Sequence, residues 1–203
     1  MLKTVGIIGD SIAHGFYDNE DLGWVARLGK MMLRAYSGRY VFNNMSQSGD
    51  NIADAYHRAV HEVGSRELDL IIVNVGINDL RRRKNSNLLL DFSEGARIMY
   101  WQKMLKFLQS TGAKVVVTDL LPVVETKYTE DASLIRYNSD VMRYNEIIKD
   151  ICAEYKILFF ARYDKWKVRD LDSLYQDATH PNTQGHRLLA EEMFEFLQNN
   201  SLL

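Results

Sequence analysis

The sequence predicts an α/β fold, a three-layer αβα sandwich in which helices cover both faces of a five-stranded parallel sheet. Five short apolar segments alternate along the chain with amphipathic segments that have helical spacing. Strands that alternate with helices are joined by right-handed crossovers, and such crossovers make the strands parallel. The chain has 203 residues, of which 46% are hydrophobic, so we expect one domain with a full core over residues 1–203.

The first strand and the first long helix flank a short polar motif. An apolar run over residues 5–8 stops at Gly9-Asp10-Ser11, which is typical of a buried strand that ends at the carboxyl edge of a sheet. A polar loop follows, and residues 23–36 then predict an amphipathic helix. Asp10 and Ser11 can also cap a helix, because their side chains accept hydrogen bonds from free backbone N–H groups.

The next two strands also end in polar clusters. Residues 40–44 predict a short strand, and the polar stretch 46–51 separates it from a helix over residues 52–63. Residues 68–75 predict the central strand, because they are apolar enough to be buried on both faces. The polar cluster 76–79 follows that strand directly.

A capping signal precedes the fourth strand. Asp91 and Glu94 have the spacing of a capping box with the aspartate in the cap position, and the helix that they open is predicted to end at Gly112. Residues 114–119 predict the strand itself. Residues 122–133 then form one of the longer irregular stretches, which is a candidate for a lid or a pocket wall.

The last part of the chain predicts two helices around the fifth strand. A helix that ends near residue 155 precedes a strand over residues 157–160. A polar segment over residues 164–176 leads to the motif 177–182, and an amphipathic helix follows to the end of the chain.

The polar ends of these strands are expected to converge on one site, because open α/β sheets bind ligands at the carboxyl ends of their strands. A serine hydroxyl becomes a nucleophile when a base removes its proton, and His180 is the candidate base for Ser11. Asp177 can accept a hydrogen bond from the second ring nitrogen of that histidine. Attack on a carbonyl group creates an oxyanion, and each hydrogen-bond donor that is already in place can stabilise it by about 3 kcal/mol. The candidate donors are the backbone N–H groups of Ser11 and Gly49 and the side-chain amide of Asn78.

Two of these motifs resemble blocks of the SGNH, or GDSL-type, hydrolase superfamily of serine esterases and lipases. Gly9-Asp10-Ser11 is similar to the nucleophile block, with Ile12 in place of the usual leucine. Asp10 is expected to support the nucleophile beside it. Gly49 resembles the glycine that contributes an N–H group to the oxyanion hole.

Two further motifs complete the resemblance, which covers the whole chain. The cluster 76–79 resembles the Gly-x-Asn-Asp block, whose asparagine donates its amide, and here that asparagine is Asn78. The motif 177–182 resembles the Asp-x-x-His-Pro block, which makes Asp177 the acid and His180 the base. The resemblance implies a flavodoxin-like topology. It also implies hydrolysis of an ester or thioester through an acyl-serine intermediate, with no cofactor and no metal.

Composition argues against large charged partners. A net charge of −2 gives no overall attraction for nucleic acid or an anionic membrane, so we expect a small-molecule ester as the partner and no stable membrane insertion. The single cysteine, Cys152, cannot form an internal disulfide and has the spacing of a buried helix face. No apolar stretch is long enough to span a bilayer, and the first strand begins at about the third residue, so we expect a cytoplasmic protein without a signal peptide.

Other polar residues have a structural interpretation beside a functional one. His57 and His61 lie four apart on a predicted helix, as zinc ligands can, although a solvated helix face is the more typical origin of that spacing. The basic run 81–84 can attract an anionic substrate, although charge runs are usually solvated surface. His14, Phe16 and Tyr17 can wall the pocket of the nucleophile or pack as ordinary loop residues.

Two alternatives to an esterase for small acyl or acetyl groups follow from the same residues. An acyl thioesterase or lysophospholipase on this fold would have a deep apolar groove beside Ser11 in place of an open polar cleft. A catalytically inactive binding module would lack a member of the catalytic set, and the sequence contains every member.

Overall fold

The computed structural model describes residues 2–203 and contains the predicted parallel sheet. The strands of this part of the chain are β1 Lys3–Gly9, β2 Tyr40–Asn44, β3 Leu70–Asn74, β4 Arg82–Arg83, β5 Lys114–Thr118, β6 Leu134–Ile135 and β7 Leu158–Phe160. Five of them form the main sheet in the order β2-β1-β3-β5-β7, and every neighbouring pair is parallel. The short strands β4 and β6 pair antiparallel outside this sheet.

The helices form two groups, which cover the two faces of the sheet. Over the described residues they are α1 Ser11–His14, α2 Gly23–Ala35, α3 Ile52–Glu62, α4 Glu94–Ser110, α5 Asn138–Glu154, α6 Tyr163–Trp166, α7 Leu171–Leu174 and α8 Thr183–Asn199. Helix α2 packs against α8, whereas α4 packs against both α3 and α5. The predicted three-layer α/β architecture is therefore confirmed.

The order of the strands reverses at β1, and this reversal opens a crevice for a site. The crossover from β1 leads to β2 on one side, and the next crossover leads to β3 on the other side. Gly9 at the end of β1 pairs with Asn74 at the end of β3. The loops that follow these strands diverge at this point, which is where α/β sheets of this kind bind ligands.

The burial of the elements follows their apolar patterns. All five residues of β3 are buried, whereas β2 at the edge of the sheet is only partly buried. Trp24 on α2 and Trp101 on α4 are fully buried, one in each helical layer. Complete burial of a large apolar side chain contributes about 1.5–3 kcal/mol, so both layers are anchored to the sheet by substantial apolar contacts.

Helix α4 begins later than the capping box predicted. The predicted cap was Asp91, but Ser93 is the cap, and its hydroxyl oxygen accepts the N–H of Ala96 at 3.3 Å. Asp91 instead forms an ion pair with Arg83 at 2.8 Å. The competing guanidinium explains the error, because it draws the carboxylate of Asp91 away from the helix.

Three stretches that lacked a clear periodicity contain short elements. The polar loop after Asp10 begins with the single-turn helix α1, and α6 and α7 occupy most of the polar segment 164–176. The irregular stretch 122–133 contains one turn of 3-10 helix, Glu125–Lys127. Elements of three or four residues are too short for a repeating apolar pattern, so the sequence did not reveal them.

We expect Gly15→Ala to lower the free energy of unfolding by at least about 2 kcal/mol, since a strained left-handed residue and a backbone clash both act there. Gly15 ends α1 with a φ of 101°, and a Cβ atom at this residue would lie 2.3 Å from the carbonyl oxygen of Leu22. Urea unfolding followed by tryptophan fluorescence measures the change.

Gly95→Ala is the matched control for this substitution. Gly95 lies inside α4, and a Cβ atom there would have no atom within 4 Å. Alanine is the better helix former, so this variant should gain up to about 1 kcal/mol. Equal losses in the two variants would contradict the assigned conformation of Gly15.

Candidate active site

Ser11 lies where the first strand turns into α1. Asp10 caps this helix, because its Oδ1 accepts the N–H of Ile12 at 3.0 Å. Gly9 allows the bend, since a Cβ atom there would lie 2.4 Å from the Cβ atom of Ala13. Asp10 therefore supplies the cap, and the hydroxyl of Ser11 is left for a contact with another part of the chain.

His180 lies on a tight turn that its neighbours hold in place. Tyr175 and Pro181 form an isolated antiparallel β-bridge on either side of the turn. The N–H of Gln176 donates to the carbonyl oxygen of His180 at 2.9 Å. Inside the turn, Oδ1 of Asp177 accepts the backbone N–H of His180 at 2.7 Å. The acid and the histidine are thus fixed relative to each other by the backbone as well as by their side chains.

The side chains of Ser11, His180 and Asp177 form one hydrogen-bonded line. Oγ of Ser11 lies 2.9 Å from Nε2 of His180, and Nδ1 of His180 lies 2.8 Å from Oδ2 of Asp177. The arrangement suits a neutral ring that donates from Nδ1 to the carboxylate and accepts the hydroxyl proton at Nε2. The fold brings these three residues together although 169 positions separate Ser11 from His180.

The carboxyl group of Asp177 is held in its ionised form. Burial favours the neutral acid, but hydrogen bonds from the side chain of His180 and from the backbone N–H groups of Thr179 and His180 outweigh it, so the pKa of Asp177 is lowered. Both backbone bonds are 2.7 Å long. An ionised carboxylate in this position can stabilise positive charge on the ring of His180.

Asn78 lies directly after the central strand, in a 3-10 helix over Ile77–Leu80 that Gly76 introduces with a φ of 130°. Its Nδ2 donates to the carbonyl oxygen of Asp50 at 2.9 Å, and its Oδ1 accepts from Nη2 of Arg136 at 2.9 Å. A primary amide has two N–H groups, so one N–H of Asn78 is left for another acceptor.

Gly49 lies in the loop after β2 and has a φ of 93°, which a residue with a side chain rarely adopts. Two contacts tie this loop to the rest of the site. The carbonyl oxygen of Asp50, the next residue, accepts the amide of Asn78. The N–H of Gln47 donates to the carbonyl oxygen of Gly9, beside the nucleophile motif, at 3.0 Å. The predicted oxyanion residues thus lie in adjoining loops.

Arg136 joins two of the predicted motifs, although no sequence pattern points to it. Its buried guanidinium donates to the carbonyl oxygen of Ile77 at 2.8 Å and to Oδ1 of Asn78 at 2.9 Å. It also donates to the hydroxyl of Thr179, which precedes His180, at 3.2 Å. No motif surrounds Arg136, so only its long-range contacts identify it.

Two buried carboxyl groups adjoin the site. Oδ2 of Asp79 accepts the hydroxyl of Tyr144 at 2.5 Å, and its Oδ1 accepts the N–H of Ile52 at 2.9 Å. Burial raises the pKa of Asp79 to about 7, despite these hydrogen bonds. Burial also raises the pKa of Asp10 to about 6. These carboxyl groups connect the motif loops to the core and bind protons more tightly than exposed aspartates do.

Two aromatic rings pack beside the histidine. The ring centroids of Phe16 and Tyr17 lie 5.3 and 5.6 Å from that of His180. The loop that carries them is held by the buried His186, whose Nε2 donates to the carbonyl oxygen of Phe16 at 2.9 Å and whose Nδ1 accepts the N–H of Trp24 at 3.3 Å. Burial lowers the pKa of His186, which favours the neutral ring that these two contacts require.

The remaining sequence candidates are found elsewhere. The ring of His57 packs beside Tyr56 and Tyr100, with centroids 5.3 and 5.7 Å away. Cys152 is buried, and burial raises the pKa of its thiol to about 12, which makes it a poor nucleophile. Within residues 2–203, no group of three histidine, cysteine, aspartate or glutamate side chains is arranged to hold a metal ion. None of the helices in that range is long and apolar enough to cross a membrane.

A comparison with protein families gives one match. The model of the family described as GDSL-like Lipase/Acylhydrolase matches residues 7–188. The matched segment contains all four motifs on which the predicted resemblance rests. A comparison with curated proteins finds no match.

Several solved structures have the same fold. An acetyl xylan esterase, AlAXEase, aligns with a TM-score of 0.78 over 96% of this chain and 99% of its own, at 19% identity. The psychrotrophic esterase EstA from Pseudoalteromonas sp. aligns with a TM-score of 0.76 over 99% and 100% of the two chains, at 16% identity. TesA aligns with a TM-score of 0.76 over 97% and 99%, at 20% identity. At these identities the likeness concerns the fold alone.

The raised pKa of Asp79 predicts a pH-dependent cost in stability. The pKa of Asp79 is about 4 in the unfolded chain and about 7 in the folded protein, so the folded state binds this proton more tightly. The free energy of unfolding therefore falls as the pH rises from about 4 to about 7. Asp79→Asn removes this titration. The free energy of unfolding of the variant should therefore rise relative to the native protein by about 2–4 kcal/mol between pH 4 and pH 7.

Asp164→Asn provides the control for this experiment, because its side chain is 87% exposed. The difference in the free energy of unfolding between Asp164→Asn and the native protein should change by less than about 0.5 kcal/mol over the same pH range. Urea unfolding at five or six pH values measures both differences. A constant difference between Asp79→Asn and the native protein would show that folding does not raise the pKa of Asp79.

Proposed function

Because this chain belongs to the GDSL-like lipase/acylhydrolase family, it is a serine esterase, and we propose that it hydrolyses small acyl or acetyl esters through an acyl-serine intermediate. The family that the four motifs predicted is thereby confirmed. The observation that best supports the proposed reaction is the hydrogen-bonded line of Ser11, His180 and Asp177.

In the proposed first step, Ser11 attacks the carbonyl carbon of the ester. Nε2 of His180 takes the hydroxyl proton, across the 2.9 Å contact described above, as the bond from Oγ to carbon forms. The positive ring is stabilised by Asp177, which holds Nδ1. His180 then returns the proton to the departing alcohol oxygen, and the acyl group stays on Ser11.

The oxyanion that forms in this step needs hydrogen-bond donors that are already in place. We assign this role to the N–H of Ser11, the N–H of Gly49 and the free N–H of Asn78. Ser11 is the first residue of α1, and the N–H of such a residue has no acceptor within its helix. In the second step a water molecule, deprotonated by His180, attacks the acyl carbon, and Ser11 recovers its proton as the acid product leaves.

A polar groove adjoins the Tyr17 ring, and although neither Ser11 nor His180 lines it, its polar character supports a small acyl group on a polar alcohol. This groove has a volume of about 630 Å³ and includes Tyr17, the ring that packs on His180. Most of its other lining side chains are polar or charged, among them Asn19, Glu20, Gln176, Gln184 and Arg187. Such a lining suits a hydroxyl-rich alcohol better than a long acyl chain. The likeness to an acetyl xylan esterase is consistent with this preference.

We expect an organophosphonate probe to label Ser11 and no other serine, because His180 activates that hydroxyl alone. Ser11→Ala should abolish labelling, and His180→Ala should slow it by about a thousandfold or more. Asp177→Asn should slow the labelling less than either of these substitutions does. Since members of a catalytic unit are not additive, the double variant Ser11→Ala, His180→Ala should hydrolyse p-nitrophenyl acetate scarcely more slowly than Ser11→Ala. Mass spectrometry of tryptic peptides locates the label.

Ser48→Ala is the matched control for the labelling experiment. Ser48 lies beside the oxyanion glycine and is exposed, so the probe can reach it. This variant should be labelled as fast as the native protein. Full-speed labelling of His180→Ala would show that His180 is not the base of Ser11.

The proposed acyl size predicts that kcat/KM falls along a series of p-nitrophenyl esters from acetate through butyrate and octanoate to palmitate. The physical reason is the polar sequence around the site, with Asn19 and Glu20 on one side and the basic run 81–84 on the other, which offers little apolar surface to a long chain. Acetylated xylose should be a substrate when the released acid is titrated at constant pH, and palmitoyl thioesters should be poor substrates when the released thiol is measured. A steady rise in kcat/KM toward palmitate would favour the thioesterase or lysophospholipase alternative.

A further inference from the structure

Arg81, the first residue of the basic run 81–84, differs from the two arginines that follow it. Arg82 forms an ion pair with Asp140 at 2.7 Å, and Arg83 forms one with Asp91 at 2.8 Å. Among the side chains of residues 2–203, no carboxylate oxygen lies within 4.0 Å of the guanidinium nitrogens of Arg81. This part of the run is therefore not ordinary paired surface charge.

The guanidinium of Arg81 lies against the oxyanion loop. Its Nη2 donates to the carbonyl oxygen of Gly49 at 3.0 Å. Its Nε is buried and has no hydrogen-bond partner in the part of the chain that the structure describes. Arg81 also follows Asn78 by only three residues, on the same loop. The arginine thus presents an unsatisfied donor beside two of the residues proposed to bind the substrate oxygen.

Charges of both signs surround Arg81, but none of the described carboxylates is paired with it. Burial lowers the pKa of Arg81, and repulsion from Arg136 and Arg83 lowers it further. Asp91 and Asp10 attract the guanidinium, but both lie beyond the distance of an ion pair. An arginine stays protonated at neutral pH even so, and its charge has no direct carboxylate partner among residues 2–203.

A second cation, Arg136, lies beside Asn78 and differs from Arg81 in its contacts. The guanidinium of Arg136 donates to neutral oxygens, namely those of Ile77, Asn78 and Thr179. Like Arg81, it forms no ion pair with a carboxylate of residues 2–203 within 4.0 Å. The donors of Arg136 are thus engaged, whereas Arg81 has, within the described part of the chain, a donor without an acceptor and no carboxylate partner, so Arg81 is the guanidinium that an anion from outside the chain would pair with.

We infer, on the basis of the proposed esterase function, that Arg81 binds an anionic group of the ester substrate, a carboxylate or a phosphate, beside Gly49 and Asn78. Such a group would accept from the free donors of the guanidinium fork and give Arg81 the anionic partner that it lacks within residues 2–203. The substrate class narrows accordingly to esters that carry a negative charge near the ester bond. Specificity is the role of Arg81, whereas Ser11 and His180 perform the chemistry.

Matched pairs of charged and neutral esters test this inference. On the alcohol side, 3-acetoxybenzoate and 3-acetoxyphenyl phosphate are compared with 3-acetoxybenzamide. On the acyl side, monomethyl succinate is compared with methyl succinamate. In the native protein, kcat/KM for a charged ester should exceed that for its neutral partner by at least about tenfold on one side, as a charge-assisted contact requires. The phosphate arm distinguishes the two anions.

The variants separate recognition from a structural role. In Arg81→Gln the preference for the charged ester should fall to within about threefold of unity, while the neutral ester continues to be hydrolysed and so reports a folded site. Arg81→Lys should keep part of the preference, because it keeps the charge without the fork. Arg83→Gln, which removes the same charge from the same run, should leave the preference intact.

Three results would overturn the inference. The first is an equal loss on charged and neutral esters in Arg81→Gln, which would make Arg81 a mere support for Gly49. The second is the absence of a preference in the native protein for every pair. The third is an equal loss of preference in Arg83→Gln, which would indicate general attraction by surface charge. Failure to hydrolyse any ester would instead overturn the proposed function, and the inference with it.

Discussion

The parallel direction of the five main strands is the constraint on which the site depends. Because all of these strands point the same way, the chain leaves each of them at one edge of the sheet. Ser11, Gly49, Asn78 and His180 lie in four different loops at that edge, which follow β1, β2, β3 and β7. In an antiparallel sheet, alternate loops would lie at opposite edges, and the same motifs would be separated by the length of a strand.

Topology brings the loops to one edge, but buried polar contacts fix how they face each other. Arg136 connects the loop of Asn78 to the loop of His180, and His186 holds the carbonyl of Phe16 beside the nucleophile. Removing one partner of such a contact leaves a buried polar group unsatisfied, which costs about 1–3 kcal/mol. The loops are therefore held in one arrangement before a substrate arrives.

Features with a local origin could be predicted from the sequence, and features with a long-range origin could not. The strand ends and their motifs are local, and Asp177 and His180 lie within a single turn, so their pairing was predictable. The prediction that Asp91 caps α4 was wrong, because Arg83 competes for its carboxylate. Arg136 acts on residues that are 43 to 59 positions away, a distance that no sequence window covers. His186 is hidden in the same way, inside a regular helix.

The unpaired state of Arg136 has a reason in the proposed reaction. When the nucleophile attacks, positive charge forms on His180 and negative charge forms on the substrate oxygen. Asp177 would stabilise the first of these charges, and Arg136, through its bond to Oδ1 of Asn78, would polarise the amide that we assign to the second. A carboxylate bound to Arg136 would cancel this effect. Burying the guanidinium of Arg136 without a carboxylate costs free energy, but it would make the amide of Asn78 a stronger donor to the oxyanion.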